Sequence, residues 1–105
     1  PGFVVNRLLV PYMAEAIRMV ERGDSTPADV DAGMTLGCGY PMGPFTLTDY
    51  VGLDTTMFIL EGWHKQYPNE PLFEVPKLLR QKVEEGKLGR KTGEGFYKWE
   101  GDKRS

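Results

Sequence analysis

From Phe3 to Arg22 the apolar residues Val5, Leu8, Leu9, Tyr12, Met13, Ala16, Ile17 and Val20 recur at three- and four-residue spacing, which predicts an amphipathic helix. Pro11 lies inside it, removing one amide donor and freeing the carbonyl of Arg7, so a kink or local break is expected there before Gly23 stops the helix. Asn6 stands on the same flank as Val10, Met13 and Ile17. An unpaired amide on a buried face costs on the order of 1 to 3 kcal/mol, so Asn6 either caps something structural or points at a ligand or another domain.

The pattern continues as a series of shorter helices. Thr26 as N-cap, Pro27 at the first helical position and Asp29 three after the cap open a helix to about Leu36, with Val30 and Met34 inward and Gly37 as its stop. Pro44 can begin another, carrying Phe45, Leu47, Tyr50 and Val51 and closed by Gly52. Leu53-Asp54 reads as a staple position and N-cap for a helix with Thr56, Ile59, Leu60, Trp63 and Tyr67 inward, ended by Pro68-Asn69-Glu70-Pro71. Pro76 can start a last helix with Leu79 and Val83 as core contacts and Gly86 as its stop.

Between the second and third helices, Leu36-Gly37-Cys38-Gly39-Tyr40-Pro41-Met42-Gly43-Pro44-Phe45 carries too many glycines and prolines for a helix interior. It is read as a turn joining two helical layers, either a corner of the core or one wall of a pocket. Beyond Lys87, closely spaced glycines give way to Phe96, Tyr97 and Trp99, which predicts an ordered turn and an extended arm whose aromatics pack back on the helices. Glu100 to Ser105 reads as a frayed end. The fold class expected is all-α: one compact multi-helix domain over residues 1–105, with a long kinked first helix and an extended C-terminal arm.

Composition narrows the picture only a little. The 105 residues suit a single domain, and no apolar run approaches the roughly 18 residues of a membrane span. A single cysteine cannot form an internal disulfide, which suits a reducing compartment, and a start at Pro1-Gly2 without methionine suggests a mature cut or a fragment. Basic residues gather late: nine Lys/Arg against five Asp/Glu lie from Lys77 onward, four against ten before it. Interleaved acids and a pI near 5.4 argue against a nucleic-acid partner.

Self-contained chemistry is absent from the pattern. A dinucleotide fingerprint needs a strand and then G-x-G-x-x-G opening a helix. Gly37-Cys38-Gly39 follows a helix and has Met42 where the third glycine belongs, and Gly93-Glu94-Gly95 also lacks its third glycine. NAD binding by this chain alone is therefore not expected. His64, the sole histidine, reads as a partly exposed surface residue, and one histidine with one distant cysteine does not make a metal site. Cys38 reads as a buried small hydrophobe without a base to activate it.

Three motifs taken together do identify a family. Pro1-Gly2-Phe3-Val4-Val5-Asn6-Arg7-Leu8-Leu9, then Gly39-Tyr40-Pro41-Met42-Gly43-Pro44-Phe45 with Asp49-Tyr50-Val51-Gly52-Leu53-Asp54, then Gly89-Arg90-Lys91-Thr92-Gly93-Glu94-Gly95-Phe96-Tyr97 resemble the C-terminal domain of L-3-hydroxyacyl-CoA dehydrogenases, 3-hydroxybutyryl-CoA dehydrogenases included. The likeness extends from Pro1 to about Trp99, with Cys38 where many relatives have alanine.

The resemblance implies a division of labour. In that family an N-terminal Rossmann domain binds NAD and carries a catalytic His-Glu pair, while the helical C-terminal domain closes the acyl-CoA cleft and forms a homodimer. The reaction is oxidation of the 3-hydroxyl of an acyl-CoA thioester in fatty-acid metabolism. Neither member of the His-Glu pair is present here, and His64 does not take that role. By resemblance Asn6 is the active-site asparagine on the first helix, catalytic and substrate-binding, and Pro41, Met42 and Leu47 line the acyl pocket. The implied compartment is the cytoplasm in a bacterium or the mitochondrial matrix in a eukaryote, with no membrane or nucleic-acid partner. The alternative is a free-standing helical dimerisation module without catalytic activity.

Overall fold

The computed structural model describes residues 2–105, so Pro1, the first residue of the first motif, lies outside the described residues. Five α-helices are present among them: α1 (Gly2–Glu21), α2 (Pro27–Cys38), α3 (Pro44–Val51), α4 (Leu53–Gln66) and α5 (Lys77–Glu84). Short 3-10 turns cover Pro71–Phe73 and Arg90–Thr92, and strands β1 (Trp99–Glu100) and β2 (Lys103–Arg104) pair antiparallel with Trp99 opposite Arg104. The fold is all-α apart from this hairpin, as the hydrophobic spacing predicts.

Local signals account for most helix ends. Thr26 accepts the amide of Asp29 at 3.2 Å as the N-cap of α2, and Pro27 and Pro44 occupy first helical positions where a missing donor costs nothing. Two further ends are completed from a distance. Glu21 on α1 accepts the Leu78 amide at 2.8 Å at the start of α5, and Arg18 donates to the carbonyl of Glu74 at 2.6 Å beyond the first 3-10 turn.

Several expectations are corrected. α2 does not stop before Gly37 but runs through it to Cys38, and Gly39, at φ 70°, ends it in the left-handed conformation. A single interior glycine costs a helix only about 1 kcal/mol, too little to end it two residues early. Asp54 is not the N-cap of α4, because the helix already starts at Leu53 with Gly52 before it. α1 runs unbroken through the buried Pro11, so of the expected kink or local break the break does not occur. Cys38 is exposed rather than buried, since it falls on the outer side of the last turn of α2. Tyr67 is exposed at the end of α4.

The segment from Glu100 onward is a hairpin rather than a frayed end. Lys98 and Ser105 exchange amide-to-carbonyl bonds at 3.1 and 2.8 Å, Arg90 pairs with Asp102, and the Arg104 guanidinium lies 4.2 Å from the centre of the Tyr97 ring.

Val10, Ala14 and Ile17 of α1 pack with Phe45, Leu53, Leu60 and Leu79 and with Tyr97 and Trp99 of the arm. The arm therefore belongs to the core. Phe96 meets Phe45 edge-on at 4.8 Å, and Trp99 meets Tyr50 at 5.5 Å. The core begins only at Val10, so the first two turns of α1 project beyond it. Phe3, Val4, Val5 and Leu8 are all exposed there, Leu8 by 70%, although Val5 and Leu8 fit the helical repeat that continues inward.

Candidate functional site

Two carboxylates, Asp31 and Asp49, are 2% and 1% exposed, and they organise everything around the central turn. Asp31 lies mid-α2, yet it serves the start of α3: its Oδ1 accepts the amide of Phe45 at 2.8 Å, and its Oδ2 accepts the amide and hydroxyl of Thr46 at 2.9 and 2.7 Å. The two amides are orphan donors of a helix N-terminus, where a negative charge also meets the positive end of the helix dipole. A fourth donor, the Tyr97 hydroxyl, reaches Asp31 Oδ2 at 2.8 Å from the C-terminal arm.

Asp49 repeats the device one layer on. Its Oδ1 accepts the amide of Phe96 at 2.9 Å, and its Oδ2 accepts the amide of Tyr97 at 3.0 Å and the indole N–H of Trp99 at 2.7 Å. Tyr97 thus binds one buried aspartate with its backbone and the other with its side chain. Burial pushes the Asp49 carboxyl above its usual range against the pull of these three donors, and it likewise raises the Tyr97 hydroxyl, with the Asp31 bond adding to the effect.

The close approach of backbone to carboxylate requires two glycines. A Cβ on Gly43 would stand 2.3 Å from both the Cα and Oδ1 of Asp31, and one on Gly95 would stand 2.4 Å from Asp49 Oδ1. Much of what makes the second and third motifs distinctive is thus structural. The two glycine pairs of the candidate dinucleotide site have other places: Gly37 lies in the last turn of α2 and Gly39 ends it, while Gly93 ends the second 3-10 turn and Gly95 packs against Asp49. Neither opens a helix after a strand, and the residues present do not fit a pyrophosphate.

The turn between α2 and α3 separates two shallow grooves. One, of about 400 Å³, is lined by Val5, Leu8, Leu9 and Tyr12 of α1 together with Tyr40, whose ring meets that of Tyr12 edge-on at 6.2 Å. The Tyr12 hydroxyl is buried without a partner among the described residues, and burial raises its pKa, Tyr40 adding a smaller push. The other groove, of about 360 Å³, has Leu36, Pro41, Met42 and Thr46 in its walls, with Arg104 at one side.

Asn6 is exposed on the projecting part of α1. Its spacing from Val10, Met13 and Ile17 puts it on their strip of the helix, but those three are buried and Asn6 lies outside the core. The structure therefore brings Pro41 and Met42 together in one groove. Asn6 is not among the lining residues of either groove, and Leu47 is half-buried on α3, also outside both. His64 is half-buried beside a polar cleft with Glu61, Lys65 and Arg80, where Arg80 pairs with Glu61 at 3.2 Å, and this cleft shares no residue with the two grooves.

The residues that sequence reasoning missed are Asp31 and Asp49. A signal existed for each: Asp49 falls four positions after the inward Phe45, and Asp31 lies between the half-buried Val30 and Met34. Buried Tyr and Trp also need acceptors for their polar tips, which the inward arm aromatics imply.

Comparison with known proteins agrees with this architecture. Residues 2–99 match the family model of the 3-hydroxyacyl-CoA dehydrogenase C-terminal domain. Over 99 residues, or 94% of its length, the chain is 64% identical to a probable 3-hydroxyacyl-CoA dehydrogenase of Caenorhabditis elegans and 62% identical to the mitochondrial hydroxyacyl-coenzyme A dehydrogenase of Mus musculus, covering 32% of each. The crystal structure of (S)-3-hydroxybutyryl-CoA dehydrogenase from Ralstonia eutropha superposes with a TM-score of 0.89 at 42% identity, over 95% of this chain and 35% of that one. The chain thus spans about a third of the length of the relatives it matches. On the match over residues 2–99, it belongs to the family of 3-hydroxyacyl-CoA dehydrogenase C-terminal domains.

Proposed function

We propose that this chain is the substrate-cleft domain of a longer, NAD-dependent dehydrogenase that oxidises (S)-3-hydroxyacyl-CoA to 3-ketoacyl-CoA in fatty-acid β-oxidation. The observation that carries the reading is the projecting end of α1, where Asn6 stands exposed on the strip whose inner members, Val10, Met13 and Ile17, are buried. An amide carried on a rigid helix just outside its own core is suited to hydrogen-bonding a group supplied from elsewhere. In this reading Asn6 holds the general-base histidine of another domain and the substrate oxygen in register, and Pro41, Met42 and Leu47 form the apolar wall beside the acyl chain.

No cofactor step is assigned to this chain, since neither of its glycine pairs opens a helix after a strand. NAD and the general base belong, in this proposal, to the other part of the parent protein, and the isolated chain is inactive. The exposed Phe3, Val4, Val5 and Leu8 suit the packing of that part and of a second subunit in a homodimer. The expected compartment is the mitochondrial matrix for a eukaryotic source and the cytoplasm for a bacterial one.

Asn6→Ala in the full-length protein tests the reading. A lost catalytic hydrogen bond of roughly 2 to 3 kcal/mol lowers kcat about 30- to 150-fold. The melting temperature should stay near the parental value, because Asn6 lies outside the core of this domain. A variant that melts several degrees lower while its folded fraction works at the parental rate would refute the catalytic assignment.

A further inference from the structure

The exit of the central turn is fixed from below by a single side chain. Asp31 binds the amides of Phe45 and Thr46 at the start of α3, and it fills the space beside Gly43 that a Cβ would need. Pro41 and Met42 sit immediately before that pinned point, in a groove that Asp31 itself helps to line. Their place therefore depends on where the Asp31 carboxylate is held.

That carboxylate is held in turn by Tyr97. The hydroxyl donates to Asp31 Oδ2 at 2.8 Å, and the amide of the same residue is locked to Asp49 at 3.0 Å, so the donor cannot drift with the arm. Oδ2 also accepts both Thr46 bonds. A change at the Tyr97 hydroxyl thus reaches the oxygen that positions the first turn of α3.

We propose that Tyr97 is a positioning residue for the acyl-CoA cleft, orienting Asp31 so that the Pro41–Met42 wall stands where the acyl chain packs. The proposal rests on the dehydrogenase reading above and extends it to a residue that need not touch substrate. It also assigns the arm aromatics unequal duties: Tyr97 serves the cleft, whereas Trp99, bonded only to Asp49 through its indole, serves the docking of the arm.

The test uses the full-length dehydrogenase with 3-hydroxyacyl-CoA and NAD. Tyr97→Phe should raise the KM for acyl-CoA about three- to tenfold while kcat and the KM for NAD stay within about twofold. Trp99→Phe should lower the melting temperature at least as much as Tyr97→Phe and leave the acyl-CoA KM at the parental value. Thr46→Val, which removes the 2.7 Å hydroxyl bond to the same oxygen, should raise that KM in the same direction and decides the matter if Tyr97→Phe does not fold. An unchanged acyl-CoA KM in a folded Tyr97→Phe, or in Thr46→Val where Tyr97→Phe does not fold, overturns the positioning role. So does an equal rise in Trp99→Phe. A parental protein that does not oxidise 3-hydroxyacyl-CoA at all overturns the function itself, so the two failures are distinguishable.

Discussion

The indole N–H of Trp99 donates to Asp49 Oδ2 at 2.7 Å, joining residues fifty positions apart in the chain. Both groups are buried, and each is the other's answer to the cost of leaving water. With the amides of Phe96 and Tyr97, this bond fastens the arm to α3.

Removing the acceptor should therefore be far more damaging than removing one donor. Asp49→Ala leaves three N–H groups unpaired, two of them in buried bonds, and should cost about 3 to 5 kcal/mol, a loss in the range of broken buried networks. Trp99→Phe removes a single charge-assisted bond and should cost about 2 kcal/mol. Urea unfolding of the two variants checks the ordering, and equal losses would mean that the carboxylate is not the common anchor.

Two carboxyls should titrate in opposite directions. Burial raises Asp49, so the folded state holds its proton more readily than the unfolded chain, and the associated stability is present below the unfolded pKa and lost as pH rises through the folded value. Asp54 is lowered, chiefly by its bond to Lys91 at 2.7 Å, so its contribution is present above the unfolded pKa and lost as pH falls through the folded value. The Asp54–Lys91 pair is largely solvated, and its worth should stay below about 1 kcal/mol. Carboxyl carbon shifts followed by NMR should give a midpoint above the ordinary range for Asp49 and below it for Asp54.

Glycine-to-alanine changes should sort by position. At Gly37, inside α2 with open space where the Cβ would go, alanine should stabilise by about 0.5 to 1 kcal/mol. At Gly43 the new methyl would stand 2.3 Å from Asp31, and at Gly95 it would stand 2.4 Å from Asp49, so either change should cost about 2 kcal/mol or more by forcing the carboxylate from its donors. Thermal melts of the three variants would expose an error if Gly43→Ala were as stable as the parent.

The isolated chain should neither bind NAD nor turn over 3-hydroxybutyryl-CoA, and it should self-associate through Phe3, Val4, Val5 and Leu8. Calorimetry with NAD and sedimentation at tens of micromolar test both halves. Saturable micromolar binding counts against the proposed division of labour, and a strictly monomeric chain counts against the exposed face as an association surface.

What was legible in the sequence was local. Thr26-Pro27, Pro44, Gly52 and Gly86 punctuate the helices because a cap or a turn acts within three or four residues of itself. The inward packing of Phe96, Tyr97 and Trp99 was legible from their apolar bulk. Asp31 and Asp49 were not, since their partners lie 14 to 66 positions away and an acidic residue on a short helix ordinarily faces solvent. Val5 and Leu8 fit the repeat of α1 but fall beyond the reach of this core, and periodicity identifies a face without saying what covers it. For Asn6 the flank was readable and its exposure was not.

The long reach of the two clamps bears on the order in which the chain can be completed. Asp31 and Asp49 leave the ribosome well before Tyr97 and Trp99, so through much of synthesis two carboxylates destined for the interior have helices around them but lack their last donors. Such a layout separates the two sides of each closing contact by 47 to 66 positions and raises the entropy cost of reaching it. Asp31 can join α2 to α3 through Phe45 and Thr46 as soon as both helices have emerged, but Asp49 has no donor until the arm arrives. A nascent chain stalled short of Phe96 therefore lacks all three donors of Asp49 and leaves uncovered the core surface that Tyr97 and Trp99 conceal in the finished fold.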